Sequence, residues 1–270
     1  MRIIVLLLLL FPLAAVAQDR RPSHCIALAE ATPGLDYLHH ASWREEVPQN
    51  SVRLTYVDHA MFLLQTQGGL NMVTDYVGYT GGIDLIPDVV TMNHAHSSHW
   101  TSNPDPAIPH VLEGWQQEHH LDLGEVLVRN VMTDIRSRFG GAPEANGNSI
   151  FVFEVAGLCI GHLGHLHHEP DQAQYAALGR LDVVMAPVDG GLTLDTPTMI
   201  RVLTRLKSSV VIPMHWWGRV SLNQFLEGMR GEFDIVEPDT SFVEVSLRSL
   251  PSRPTIMVLR PAYYNPPDDD

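Results

Sequence analysis

From Ser51 onward the apolar and polar positions fall into a two-residue period. Val52, Leu54 and Tyr56 alternate with Arg53 and Thr55, which predicts a strand with one face turned to a core. Met61–Thr66 is a second apolar run, Gly68-Gly69 a turn signal and residues 70–74 a third run. Residues 88–92 form a short apolar strand that runs straight into a histidine-rich loop, and 125–131 is another strand. Residues 149–155 and 158–160, separated by Ala156-Gly157, read as a hairpin.

The period then changes. Residues 171–178 predict a helix and 181–186 a strand. Thr196 followed by Pro197 reads as an N-cap and first-turn pair opening a helix to about Lys207. Residues 209–212 form a buried strand ending at Pro213, Ser221 caps a helix to about Met229, and 233–236, 242–247 and 255–259 close the chain as strands. Hairpins first and strand–helix–strand units afterwards predict an α/β architecture of two sheets with helices outside.

The first seventeen residues read as an address. Arg2 precedes an apolar stretch from Ile3 to Ala15, and Ala15-Val16-Ala17 has small residues where a signal peptidase reads. The stretch is too short to span a bilayer comfortably and polar residues follow at once. The expectation is a signal peptide over 1–17, a single domain over 18–262 and a disordered tail over 263–270. The mature chain is then periplasmic or secreted, without stable membrane insertion. Export exposes Cys25 and Cys159 to an oxidising compartment, where either a disulfide or a buried free thiol at Cys159 is open.

Composition adds one anomaly. The 270 residues include 15 histidines, about twice average usage. The net charge of −14, with Lys207 as the only lysine, excludes a phosphate backbone as main partner and leaves a small-molecule substrate. Two cysteines cannot form a four-cysteine zinc site. The histidines cluster where short apolar strands end: His94, His96 and His99 after the first, His162, His165, His167 and His168 after the second, His215 after the third. Strand ends meeting at one sheet edge can bring such side chains to one ion. His39-His40 and His119-His120 lack that context and read as solvated.

At this point the sequence resembles the metallo-β-lactamase-fold hydrolases, in their lactonase-like branch. Asp58-His59-Ala60-Met61-Phe62 matches the branch's Gly-His-Ala-x-Phe opening, and Thr74-Asp75 its Thr-Asp strand end. His94-x-His96-x-Ser98-His99 falls where the family has His-x-His-x-Asp-His, His162-Leu-Gly-His165 where it has His-Leu-Gly-Asp, and His215 at its last histidine. The resemblance covers residues 52–219 in consistent order. It implies a four-layer αββα sandwich with a metal site along one edge of the sheets, and zinc as the metal. Iron, manganese, copper and nickel suit an imidazole-rich site too.

The departures bear on the chemistry. Ser98 and His165 replace two family aspartates, the second a metal bridge. A neutral imidazole has one lone pair and cannot bridge, so one ion is expected rather than two. His94, His96, His165 and His215 are the expected ligands, with His99 and Asp134 as further ones; residues 132–136 read as a loop. Ser98 cannot act as a base at its ordinary pKa, which leaves Asp134, Glu169, Asp189 or His99 for that role. His59, Asp75, Ser98 and His162 are expected behind or beside the ligands, with Asp75 and Asp189 as the carboxylates that orient imidazoles. Trp100, Trp216 and Trp217 offer an apolar wall or core packing. The expected function is an exported hydrolase that activates water with its metal to cleave an ester, lactone or phosphodiester. The alternatives are a non-hydrolytic metalloprotein (iron or copper redox, or metal binding) and an inactive scaffold.

Overall fold

The computed structural model describes residues 21, 23–27, 43–137 and 141–262. The expected signal peptide, acidic tail and His39-His40 lie outside them. In chain order the described elements are α1 (His24–Ala27), β1 (Val52–Asp58), β2 (Met61–Thr66), β3 (Asn71–Val73), β4 (Val89–Met92), β5 (His110–Glu113), β6 (His120–Asp122), β7 (Val126–Ile135), β8 (Glu144–Val155), β9 (Leu158–His162), α2 (Gln172–Leu178), β10 (Val183–Pro187), α3 (Thr196–Leu206), β11 (Val210–Met214), α4 (Arg219–Met229), β12 (Asp234–Val236), β13 (Phe242–Val245) and β14 (Thr255–Met257).

The strands form two mixed sheets, ordered β13-β1-β2-β3-β4-β5 and β12-β14-β11-β10-β9-β8-β7-β6. The alternation of β1 explains its place. Val52, Leu54 and Tyr56 enter the core between the sheets with Phe62, Phe151, Phe153 and Ile212. On its other face Arg53 is buried with Glu244 and the carbonyls of Glu45 and Glu46 as partners. A buried guanidinium persists only when paired in this way. The outer face of the eight-stranded sheet packs on α1 through α4, with Leu178, Val202, Leu203, Leu222 and Phe225 filling the layer. The outer face of the six-stranded sheet is covered, among the described residues, by Trp43, Trp100, Trp115 and Ile83. The expected two-sheet α/β sandwich is therefore present, with its helices on the eight-stranded side.

Local chemistry moved several expected boundaries. Asp195, not Thr196, caps α3, its carboxylate accepting from Thr198 N. Gly218, not Ser221, precedes α4, which begins three residues earlier than the Ser221 cap implied. Residues 132–135 are not a loop: β7 continues to Ile135, and Asp134 accepts from Asn146 N on the facing strand. The edge strands β5 and β6 have no apolar alternation and are made by pairing with β4 and β7. His120 lies in β6, and His119 Nε2 donates to Glu113 O.

Cys25 and Cys159 form a disulfide that ties α1 to β9, 134 positions apart in sequence. Ser23 Oγ and His24 N donate to Glu154 beside it, and Arg129 Nε donates to the same carboxylate. The Ser23, Arg129 and His24 partners outweigh burial and hold the Glu154 carboxyl below its ordinary value.

Two polar side chains pin one sheet to the other, and a third, Asn148, holds the loop after β9 to β8. His162 Nε2 donates to Ala60 O and its Nδ1 accepts from Gly164 N. Asn93 donates to Asp75 and accepts from Ser149 N on β8. Asn148 accepts from His165 N. Gly164 makes this crossing feasible: its φ is +58°, and a Cβ there would stand 2.4 Å from Asn93 Nδ2 and 2.6 Å from Asn148 Oδ1.

Gly164→Ala is therefore expected to cost at least about 2 kcal/mol in urea unfolding, by strain and by displacing both asparagines. Cys25→Ser with Cys159→Ser is expected to cost about 2–4 kcal/mol, because the bridge closes a long loop. Unchanged urea midpoints would contradict either expectation.

Candidate metal centre

The site lies where β4, β9 and β11 end. After β4 the chain folds into a tight turn, His99 N donating to His96 O at 2.9 Å and Asn93 N to His99 O at 3.1 Å. This turn brings the His96 and His99 rings to 4.6 Å between centroids. His165 follows the Gly164 turn and His215 follows β11. His96, His99, His165 and His215 are all in mutual ring contact, at 4.6–6.0 Å.

Their Nε2 atoms converge. His96 and His165 Nε2 are 2.9 Å apart, and His99 and His215 Nε2 are 3.2 Å apart. Zinc–imidazole bonds of about 2.0–2.1 Å put tetrahedral ligand nitrogens about 3.3–3.4 Å from one another. Nitrogens this close, three of them in buried rings and the fourth in the half-buried His96, fit a shared cation.

Each Nδ1 on the far side has its own surroundings. His99 Nδ1 donates to Asp75 Oδ2 at 2.5 Å. His215 Nδ1 lies 2.9 Å from Asp189 Oδ2. His96 Nδ1 lies 2.8 Å from Ser98 Oγ, which accepts its N–H when Nε2 is the ligand. His165 Nδ1 is buried without a hydrogen-bond partner. Partners on Nδ1 select the tautomer with the Nε2 lone pair facing inward.

Electrostatics disfavour the charged form of His59, His99, His165 and His167. Burial, then the fields of His215, His99 and His96, hold His59 down to about 2. Burial and neighbouring histidines hold His99 and His165 well below the ordinary imidazole value. His167, beside His165, is lowered to about 4 by burial and then by Arg136. Burial pushes the Asp75 carboxyl up to about 6, still ionised at neutral pH. Burial would also raise Asp189, but His215, Thr193 and Gly191 outweigh it and hold that carboxyl far below its usual range.

His59 enters from the six-stranded sheet. Its ring lies 4.0 Å from His215 and 4.7 Å from the exposed Trp217, and its Nε2 is buried without a partner. His59, His96, His99 and His215 each offer a nitrogen within 4.8 Å of the others. The backbone there is strained: φ is +49° at His59, +45° at Asp75 and +56° at His215. The His59 carbonyl holds this corner by accepting from His215 N at 2.7 Å and Tyr56 Oη at 2.9 Å.

The expected residues thus separate. His96, His99, His165 and His215 come together, with Asp75, Asp189 and Ser98 behind them and His59 alongside. His94 does not join: its ring packs on Trp115 and Trp100 at 5.1 and 5.5 Å, and its Nδ1 lies 3.1 Å from Glu144. His162 has both nitrogens committed between the sheets. Asp134 is exposed and bonded to Asn146, and Glu169 meets Arg201 at the surface. Asp189 already accepts from Gly191, Leu192 and Thr193. Trp100 packs on the six-stranded sheet, and Trp216 on both cores. His59 lies beside the cluster, where the sequence placed it, whereas nothing in the sequence marked Glu144 as the partner of His94.

Known proteins share this arrangement of strands. A UPF0173 metal-dependent hydrolase of Methanoculleus marisnigri is 26% identical over 220 residues, which cover 73% of this chain and 94% of that one. A similar protein of Methanosphaerula palustris is 26% identical over 191 residues, covering 61% and 84%. A Thermotoga maritima structure assigned to the Zn-dependent hydrolases of the metallo-β-lactamase superfamily superposes with a TM-score of 0.58. It is 24% identical and covers 77% of this chain and 98% of that one. CmlA, a diiron β-hydroxylase from Streptomyces venezuelae, shares the fold at a TM-score of 0.50 and 14% identity, covering 75% and 55%. The family model for the beta-lactamase superfamily domain matches residues 53–215, from the start of β1 to the last histidine of the cluster, and the chain belongs to that family.

Proposed function

We propose that this protein is an exported metal-dependent hydrolase acting on a small-molecule ester, lactone or phosphodiester. The observation that carries the reading is the meeting of the buried His99, His165 and His215 with the half-buried His96, their Nε2 atoms paired at 2.9 and 3.2 Å. His96, His99, His165 and His215 would hold one divalent ion, zinc by the likeness to the relatives' described chemistry. A bound ion supplies Lewis-acid polarisation of the attacked oxygen and acidification of water. The chain's own part is to hold the lone pairs inward, through Asp75 and Asp189, and to set the rings of His59 and Trp217 beside them. The Cys25–Cys159 disulfide supports export to an oxidising compartment. The acidic balance of the chain supports a small substrate over nucleic acid.

A redox reading is favoured by one observation. Among the described residues the ligand-capable group at the site, His59, His96, His99 and His215, is made of histidines alone. Metal analysis of the protein purified from its own compartment separates the two readings. Zinc with turnover of generic esters or phosphodiesters supports hydrolysis, and iron or copper without it supports the second reading.

His96→Ala is expected to abolish both stoichiometric metal binding and turnover. Asp189→Asn is expected to weaken metal binding about 10–100-fold in a competition titration with a chelator. Wild-type affinity in Asp189→Asn would show that the carboxylate does not orient His215.

Burial makes the metal-free protein acid-sensitive. Unfolded imidazoles take up protons near 6.5, while His59, His165 and His167 in the folded chain refuse them. Below pH 6.5 the unfolded state binds more protons, so stability falls as pH falls, across a window reaching toward the folded values of about 4 for His167 and about 2 for His59. Thermal unfolding of chelator-treated protein should show Tm dropping from pH 7 to pH 5. A flat profile would mean that the rings are solvated.

A further inference from the structure

The rim of the centre carries apolar side chains that folding alone does not explain. Trp217 is 71% exposed, Val220 74% and Leu192 58%. Together they make three of seven such large apolar residues among the described ones, and they occupy the two segments that carry Asp189 and His215. Trp217 stands two residues after His215, its ring 4.7 Å from His59 and 6.3 Å from His215. Val220 is in the first turn of α4. The segment bearing Leu192 abuts that turn, since a Cβ on Gly190 would lie 3.8 Å from Ser221 Cβ.

Leu192 is not exposed by slackness. Its N–H and those of Gly191 and Thr193 donate to Asp189. The carbonyls of the same three residues accept from Arg136. With donors and acceptors tied on both sides, the backbone holds the leucine side chain outward. An apolar group kept in water by a network that also backs a site histidine marks a binding surface.

We propose that Leu192, Trp217 and Val220 form the subsite for a linear apolar tail, an alkyl or acyl chain whose reactive end lies at the histidine centre. The inference rests on the hydrolase reading for the identity of that reactive end. Charge favours a free small molecule over the other apolar occupants. A net charge of −14 with a single lysine repels both an anionic lipid surface and a second copy of this chain.

The test is calorimetric titration of butyrate, octanoate and decanoate into the zinc-loaded protein, with p-nitrophenyl butyrate and octanoate turnover measured on the same batch. Each buried methylene is worth about three- to four-fold in affinity, so decanoate should bind at least about ten-fold more tightly than butyrate. Leu192→Ser with Val220→Ser should reduce that ratio below about three-fold at unchanged zinc content. If the double variant does not hold zinc, Trp217→Ala is read by the same criterion. A ratio near one in the wild type, or one that survives the substitutions, overturns the proposal. So does a wild-type dimer in sedimentation that the substitutions dissolve, which would assign the face to a second copy. Ester turnover without chain-length preference overturns this inference alone. Length-dependent binding without turnover of either ester overturns the hydrolase reading alone.

Discussion

Four imidazoles can share one small buried volume only if none of them is protonated and each aims its free lone pair inward. That constraint organises the site. A single imidazolium among His96, His99, His165 and His215 would meet three rings at 4.6–6.0 Å with little water to screen it. Burial holds His99 and His165 below the ordinary imidazole value, and oxygens beside the Nδ1 atoms of His96, His99 and His215 set direction. Asp75 lies at the end of β3, and Asp189 two residues after β10. Each carboxylate therefore arrives from a strand adjacent to the one that delivers its histidine: β3 beside β4 in one sheet, β10 beside β11 in the other. The left-handed backbone at His59, Asp75 and His215 is the local cost of aiming side chains at one point from two sheets.

Much of this was legible in the sequence because strand periodicity is local and strand ends are sharply marked. The strands before the three histidine groups, and the motif order linking them, were readable without long-range information. What was not readable depended on partners distant in the chain. His94 and His96 are equivalent by spacing, and only Glu144, Trp100 and Trp115 decide that His94 turns outward. His162 was expected behind or beside the ligands, but only Ala60, across the interface between the sheets, shows that its Nε2 is taken up by the backbone. β7 runs on to Ile135 because β8 pairs with it back to Glu144, a long-range ladder that overrides its weak apolar pattern. The bond between Cys25 and Cys159 likewise required knowing that α1 lies against β9.

A histidine at position 165, where the resembling family has a carboxylate, removes negative charge from the centre, but a cation held there would not be left uncompensated. Asp75 and Asp189 stand one ring away, each against a different histidine, and both stay ionised at neutral pH. Two carboxylates at that remove balance two positive charges without occupying a coordination position. Charge placed behind an imidazole also polarises it and strengthens it as a donor. The substitution therefore shifts compensation outward. The inner volume is left to neutral nitrogen donors, and Ser98 needs only to accept the His96 N–H rather than to carry charge. The same arrangement explains why the proton acceptor expected of the family is missing at Ser98: the acids remain, but they are spent on orienting rings.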